Sequence, residues 1–235
     1  MIVATRKNVR ELKQLLAPYQ RIAVLGCGTC VTVCLAGGER EAGMMASALR
    51  MASRLEGVEK DIRDLTIERQ CDDAFIDEAW KSLDEADAIL SLACGAGVQA
   101  LAHRFPGKPV FPGVDTTFMG ATMEHGVWLE KCAGCGRCIL HLTGGICPVA
   151  RCAKSILNGP CGGTKNGMCE ISTDENPVPC AWALIVERMK QLGTLDKLSE
   201  IQPAKDWSAA RDGGPRRRVR ADLKIEKQEE VRAEA

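Results

Sequence analysis

Apolar and polar positions along residues 1–125 follow two interleaved rhythms. Residues 21–25, 64–67, 88–92 and 109–111 are short apolar runs, and the first closes on Gly26. Runs of this length bounded by turn residues read as strands buried on both faces. Between them lie segments with apolar residues at helical spacing. Residues 9–16 form one, closed by Pro18, and Glu39–Leu55 a second, with Met45, Leu49 and Ala52 along it and Gly57 beyond its end. Residues 74–83 form a third, capped by Asp72 or Asp73, and residues 98–103 a fourth. Strands alternating with helices predict a parallel sheet covered on both faces. The fold class is α/β, a small Rossmann-like domain over residues 1–127.

The rhythm is lost over residues 131–180, where Gly, Pro and Cys take over. Such a segment cannot close an apolar core, so something else must order it. Metal centres do so, because assembly of the site is then coupled to folding. Helical spacing returns over residues 181–198, with Leu184, Val186, Met189 and Leu192. A cysteine-rich module over residues 128–182 therefore follows the first domain, and a C-terminal helix and extended tail occupy residues 183–235. From Pro203 the tail is polar, with a basic run from Arg216 to Arg220 and the turn Gly213-Gly214-Pro215. It reads as a solvated end or as an arm laid on a partner subunit.

Composition narrows the function. Hydrophobic residues make up 46% of the chain, enough for a real core, and the formal net charge is zero, so no global field recruits nucleic acid. Aromatic residues are only 4%, too few for a platform that stacks single-stranded bases. No stretch approaches the roughly 18 apolar residues of a membrane span, and the start lacks the apolar centre of a signal peptide. A cytoplasmic location is the expectation. There glutathione keeps thiols reduced, and the odd total of 13 cysteines also argues against a disulfide framework. Metal ligation is left as the main reading.

The cysteines fall in two constellations. Cys27, Cys30 and Cys34 follow the first strand, where a dinucleotide-binding fold places its phosphate loop. The third glycine of that loop is missing, and thiols stand where a phosphate would approach, which argues against a nucleotide. A metal cluster suits the place better, since glycines free backbone N–H groups to face sulfur and a helix start stabilises an anion. Either Cys71 or Cys94, each beyond the end of another parallel strand, supplies the fourth ligand. Cys94 sits in the more flexible loop, whereas Cys71 also reads as a plain thiol.

In the second constellation Cys132, Cys135 and Cys138 have C-x2-C-x2-C spacing, and Cys147-Pro148 comes later. That is the ferredoxin pattern with a longer final gap, and in two-cluster ferredoxins the cysteine before proline serves the other cluster. On this logic the triplet takes Cys180, which follows Pro179, and Cys147, Cys152, Cys161 and Cys169 form another site. Cys147 and Cys180 can exchange roles. The expected cofactors are two or three [4Fe–4S] clusters, with structural zinc the competing reading for the last quartet. His103, His125 and His141 stand apart, and no catalytic triad, zincin motif or phosphate loop is present. Thiolate-bound clusters exchange single electrons, so relay is the natural function.

The motifs carry a resemblance. Gly26 to Gly38, Cys132 to Cys138, Gly145 to Lys154, Leu157 to Gly163 and Met168-Cys169-Glu170 together resemble the MetV-type iron–sulfur subunit of bacterial methylenetetrahydrofolate reductases. The resemblance covers roughly residues 1–224. It implies a heteromeric oxidoreductase in which a flavin-containing (FMN) TIM-barrel subunit reduces methylene-tetrahydrofolate to methyl-tetrahydrofolate, as in the methyl branch of the Wood–Ljungdahl pathway. This chain would be its non-catalytic electron-transfer subunit, taking electrons from ferredoxin or another redox subunit. The implied ligands are Cys27, Cys30, Cys34, Cys132, Cys135, Cys138, Cys147, Cys152, Cys161 and Cys169, and less surely Cys71, Cys94 and Cys180. A structural zinc subunit that merely shapes the catalytic partner is the rival.

Overall fold

The computed structural model describes residues 1–209 together with Arg216, Arg217, Arg220 and Asp222. The turn Gly213-Gly214-Pro215, Arg218 and Val219 of the basic run, and the charged extension after Lys224 lie outside the described residues. Strand β1 (Ile2–Arg6) and helix α1 (Val9–Leu15) come first, followed by β2 (Arg21–Cys27), α2 (Cys30–Val33), α3 (Glu39–Leu55) and β3 (Asp61–Ile67). Then come α4 (Asp73–Glu78), α5 (Trp80–Asp84), β4 (Ala88–Ser91), α6 (Gly95–Arg104) and β5 (Val110–Pro112). An antiparallel hairpin, β6 (Val114–Glu124) and β7 (Val127–Cys132), leads into a loop-rich stretch that holds α7 (Pro148–Arg151) and ends at α8 (Ala181–Leu192).

The expected parallel sheet is present, with strand order β3-β2-β4-β5 and helices on both faces. Alternation along β2 explains the two layers. Ile22 and Val24 face Leu12 of α1 and Met45, Ala46 and Leu49 of α3. Ala23 and Leu25 face the opposite way, onto Ile76, Leu83 and Leu101 of α4, α5 and α6. A strand with helices on both sides must be apolar throughout, which is why β2 and β4 carry no charge beyond Arg21. Edge strand β3 tolerates Asp61, Arg63 and Asp64, and these charges protect an open edge from pairing with another chain. Fully burying a side chain such as Leu25 contributes about 1.5–3 kcal/mol.

Local chemistry sets several boundaries. Helix α3 starts where the buried Glu41 carboxylate accepts the Gly38 backbone N–H at 3.1 Å. Asp72 caps α4 by accepting from the Ala74 N–H at 3.2 Å. The helix expected over residues 74–83 is two short helices, broken at Ala79, whose φ of −98° and ψ of 1° leave the helical region. Trp80, just past the break, stacks on Phe105 with ring centroids 4.5 Å apart. The last helix stops at Leu192, not Leu198, because Gly193 takes a left-handed φ of 65° and closes it.

A second sheet, β1-β6-β7, has no counterpart in the alternation of residues 1–125: β1 pairs antiparallel with β6, register Ile2 to Met119. This hairpin runs across the expected divide at residues 127/128 and carries Cys132 at its end. Beyond it, the one hydrophobic cluster among the described residues is small, formed by Cys180, Trp182, Ile185 and Met189, with the Trp182 indole N–H donating to the Ile156 carbonyl at 2.9 Å. Among the described residues no helix is long and apolar enough to cross a membrane.

Candidate metal centres

The first thiol group lies at the C-terminal edge of the parallel sheet. Chain connections leave β2 toward β3 on one side and β4 on the other, so a crevice opens outside the ends of β2 and β4, where this architecture places its ligands. Cys27 ends β2, and Cys94 precedes the first turn of α6. The loop from α2 can reach this edge because Gly37 has no side chain: a Cβ there would sit 1.9 Å from the Leu92 carbonyl oxygen. Gly37 in turn accepts the Cys27 N–H at 2.9 Å. The Cys27 sulfur, almost wholly buried, is 3.6 Å from the Thr29 hydroxyl and 3.8 Å from the Glu68 carbonyl oxygen.

Cys71 lies on the rim of the same edge. Partial burial pushes its thiol up, and the neighbouring thiols of Cys94 and Cys27 push it further. Cys27, Cys71 and Cys94 therefore share one electrostatic neighbourhood at this edge. Cys34 has carbonyl neighbours of its own. Its buried thiol donates toward the carbonyls of Val31 (3.6 Å) and Ala4 (3.9 Å), and burial raises it above the ordinary range. Cys30, half-buried at the start of α2, lies near Cys34.

The second constellation divides into two sites. Strand β7 delivers Cys132, and left-handed glycines at Gly134 (φ 63°) and Gly136 (φ 85°) fold the chain around Cys135. Only glycine adopts such angles without strain. The Gly134 N–H faces the Cys132 sulfur at 3.4 Å. Cys147 caps α7, accepting the Ala150 N–H at 3.5 Å. Cys132, Cys135, Cys138 and Cys147 line one cavity of about 400 Å³. Its charged lining residues are Lys131, Arg137, Lys205 and Asp206.

Cys152, Cys161, Cys169 and Cys180 surround a much smaller space of about 20 Å³. Burial works to raise the Cys180 thiol. The Thr164 hydroxyl at 2.9 Å and the N–H groups of Ala183 and Trp182 at the start of α8 outweigh it and hold the thiol below its ordinary value. Lys154 pairs with Glu170 at 2.5 Å and also reaches Cys161. The structure thus sets Cys147 beside the triplet and Cys180 with Cys152, Cys161 and Cys169, the exchange that the spacing left open. Thr164 and Lys154, whose side chains meet these sulfurs, carried no sequence signal beyond lying near Cys161.

Backbone N–H groups, a hydroxyl and an ammonium facing thiols make a setting for anionic, thiolate-bound metal. Among the described residues, no three His, Cys, Asp or Glu side chains stand close enough to hold a single metal ion. In the larger cavity four thiols instead border a space, which suits a group that brings its own sulfide and iron between its ligands. The three histidines are dispersed, on α6, in the β6–β7 turn and in the 3-10 turn Leu140–Leu142.

A four-stranded parallel sheet joined to a thiol-lined module defines a cysteine-rich α/β protein. Residues 111–208 match the family model described as methylene-tetrahydrofolate reductase C terminal, which agrees with the resemblance over that stretch, while the Gly26 to Gly38 motif lies outside it. The matched segment contains all eight cysteines from Cys132 to Cys180, while Cys27 to Cys94 precede it. The chain matches no curated protein and no solved structure.

Proposed function

We propose that this chain is the iron–sulfur electron-transfer subunit of a heteromeric methylenetetrahydrofolate reductase. It would pass electrons from a donor such as ferredoxin to the FMN of a TIM-barrel catalytic subunit in the cytoplasm, serving the methyl branch of the Wood–Ljungdahl pathway. The observation that carries this reading is the cavity lined by Cys132, Cys135, Cys138 and Cys147 within the family-matched segment. A thiolate-bound [4Fe–4S] cluster there supplies one-electron redox chemistry. The chain's own residues hold and tune the site. Gly134 and Ala150 direct N–H groups at sulfur, and Lys131, Arg137 and Lys205 oppose its negative charge. Cys132 and Cys138 are exposed, so one side of the cavity faces outward, where a partner can approach.

The test is anaerobic. The dithionite-reduced chain is mixed with its oxidised flavin subunit, and bleaching of the flavin is followed together with recovery of visible absorption from this chain. Coupled changes support relay; a colourless chain that leaves the flavin oxidised contradicts it.

Cys27, Cys71 and Cys94 are proposed ligands of a further cluster, with Cys30, at the start of helix α2, a candidate for a fourth. Cys71→Ser and Cys94→Ser are each expected to lower iron by about four atoms per chain, whereas Cys34→Ser leaves iron unchanged because its thiol faces Val31 and Ala4. Metal analysis of the three variants checks this.

A further inference from the structure

The segment just after the 3-10 turn Leu195–Ser199 lies over the larger thiol cavity, and Gln202 to Asp206 form one of its walls. Two hydrogen bonds pin it. The Asn158 amide donates to the Gln202 carbonyl at 2.8 Å, and the Gln202 N–H donates back to the Asn158 Oδ1 at 2.7 Å. This reciprocal pair satisfies one backbone residue with a single side chain, as a neighbouring strand would. Further along, the Lys205 ammonium donates to the Arg137 carbonyl at 3.2 Å, between Cys135 and Cys138, and lies 5.6 Å from the Trp207 ring. The chain is thus fastened at both ends of the wall. Cys135 and Cys147 are half-buried, while Cys132 and Cys138 remain exposed.

We propose that residues 202–206 are a strap that closes one side of this cavity, with Asn158 the positioning residue that holds it. The strap limits access of water and small reagents to Cys135 and Cys147 and leaves the side of Cys132 and Cys138 open. What it protects rests on the cluster reading above; where it lies does not. Holding water away from one side of a thiolate-bound centre is one way a protein sets its potential and its resistance to oxidants.

Alkylation of the anaerobically purified full chain, with its metal retained, by iodoacetamide, read peptide by peptide by mass spectrometry as the thiols become accessible, tests the strap. In Asn158→Ala, Cys135 and Cys147 are expected to react about 30-fold faster than in the wild type, the equivalent of two hydrogen bonds at about 1 kcal/mol each. Asn158→Asp keeps the acceptor for Gln202 but loses the donor, and should fall between the two. Gln202→Pro removes the backbone N–H, together with the side-chain bond to the Glu200 carbonyl, and should also accelerate both thiols. Cys161 and Cys169 should not change. Equal rates at Cys135 and Cys147 in all four chains would overturn the proposal. A parallel rise at the buried Cys34 would overturn it too, because general unfolding would then explain the exposure. A chain that binds no iron would refute the cluster reading, while alkylation would still decide the strap.

Discussion

Cys135→Ser is expected to empty the larger cavity of its cluster, with iron and sulfide each falling by about four per chain, and to stop reduction of the partner's flavin by the physiological donor. Cys135 sits between two glycines with left-handed backbone angles, a conformation that turns the chain around this thiol and leaves little freedom for another group to take its place. A serine hydroxyl is a poor substitute for thiolate toward iron. Reduction of the flavin by a small artificial reductant acting on the partner alone should survive, and so should the α/β domain, whose cores lie elsewhere. Anaerobic metal analysis and stopped-flow spectroscopy of the complex measure both parts. Unchanged turnover with the physiological donor would show that electrons do not pass through this site.

Stripping the metal with a chelator is expected to loosen residues 131–180 while the parallel sheet stays folded. The two cores around the sheet contain most of the buried apolar side chains, including Leu25, Ile89, Leu90 and Leu101. The module has only the small cluster around Trp182, Ile185 and Met189, too little to order some fifty residues of loop. Metal binding there is folding free energy. Hydrogen exchange read by mass spectrometry should show amides of the module losing protection on metal removal, with those of β2 and β4 unaffected. Unchanged protection in the module would mean that its few buried residues and turns suffice without metal.

The sheet and its helices were legible wherever the signal is local. The apolar runs of β2 and β4, the helical spacing of α3 and the Asp72 cap all appear in the sequence as the structure has them. The second sheet was not, because β1 finds its partner β6 over a hundred residues away, and nothing in residues 2–6 announces that pairing. Gly193 did carry a stop signal for α8, but the apolar residues after it obscured the end.

The candidate sites divide along the same line. Their thiols were legible as two constellations, because spacing is local. Which thiols meet was not, since that depends on where strand ends and loops converge. Cys34 fits the N-terminal spacing, yet its thiol faces the Ala4 and Val31 carbonyls, while Cys71 and Cys94 lie beyond the ends of separate strands and share an electrostatic neighbourhood with Cys27. Cys147 and Cys180 occupy the places that the ferredoxin analogy assigned to one another, because Cys147 caps α7 beside the triplet and Cys180 opens α8 beside Thr164.

Anaerobic quantification of iron, acid-labile sulfide and zinc in the full chain bears most directly on the relay. The account predicts iron and sulfide in equal amounts, at least about four of each per chain, together with a visible band bleached by dithionite. A colourless chain carrying zinc and neither iron nor sulfide would contradict it.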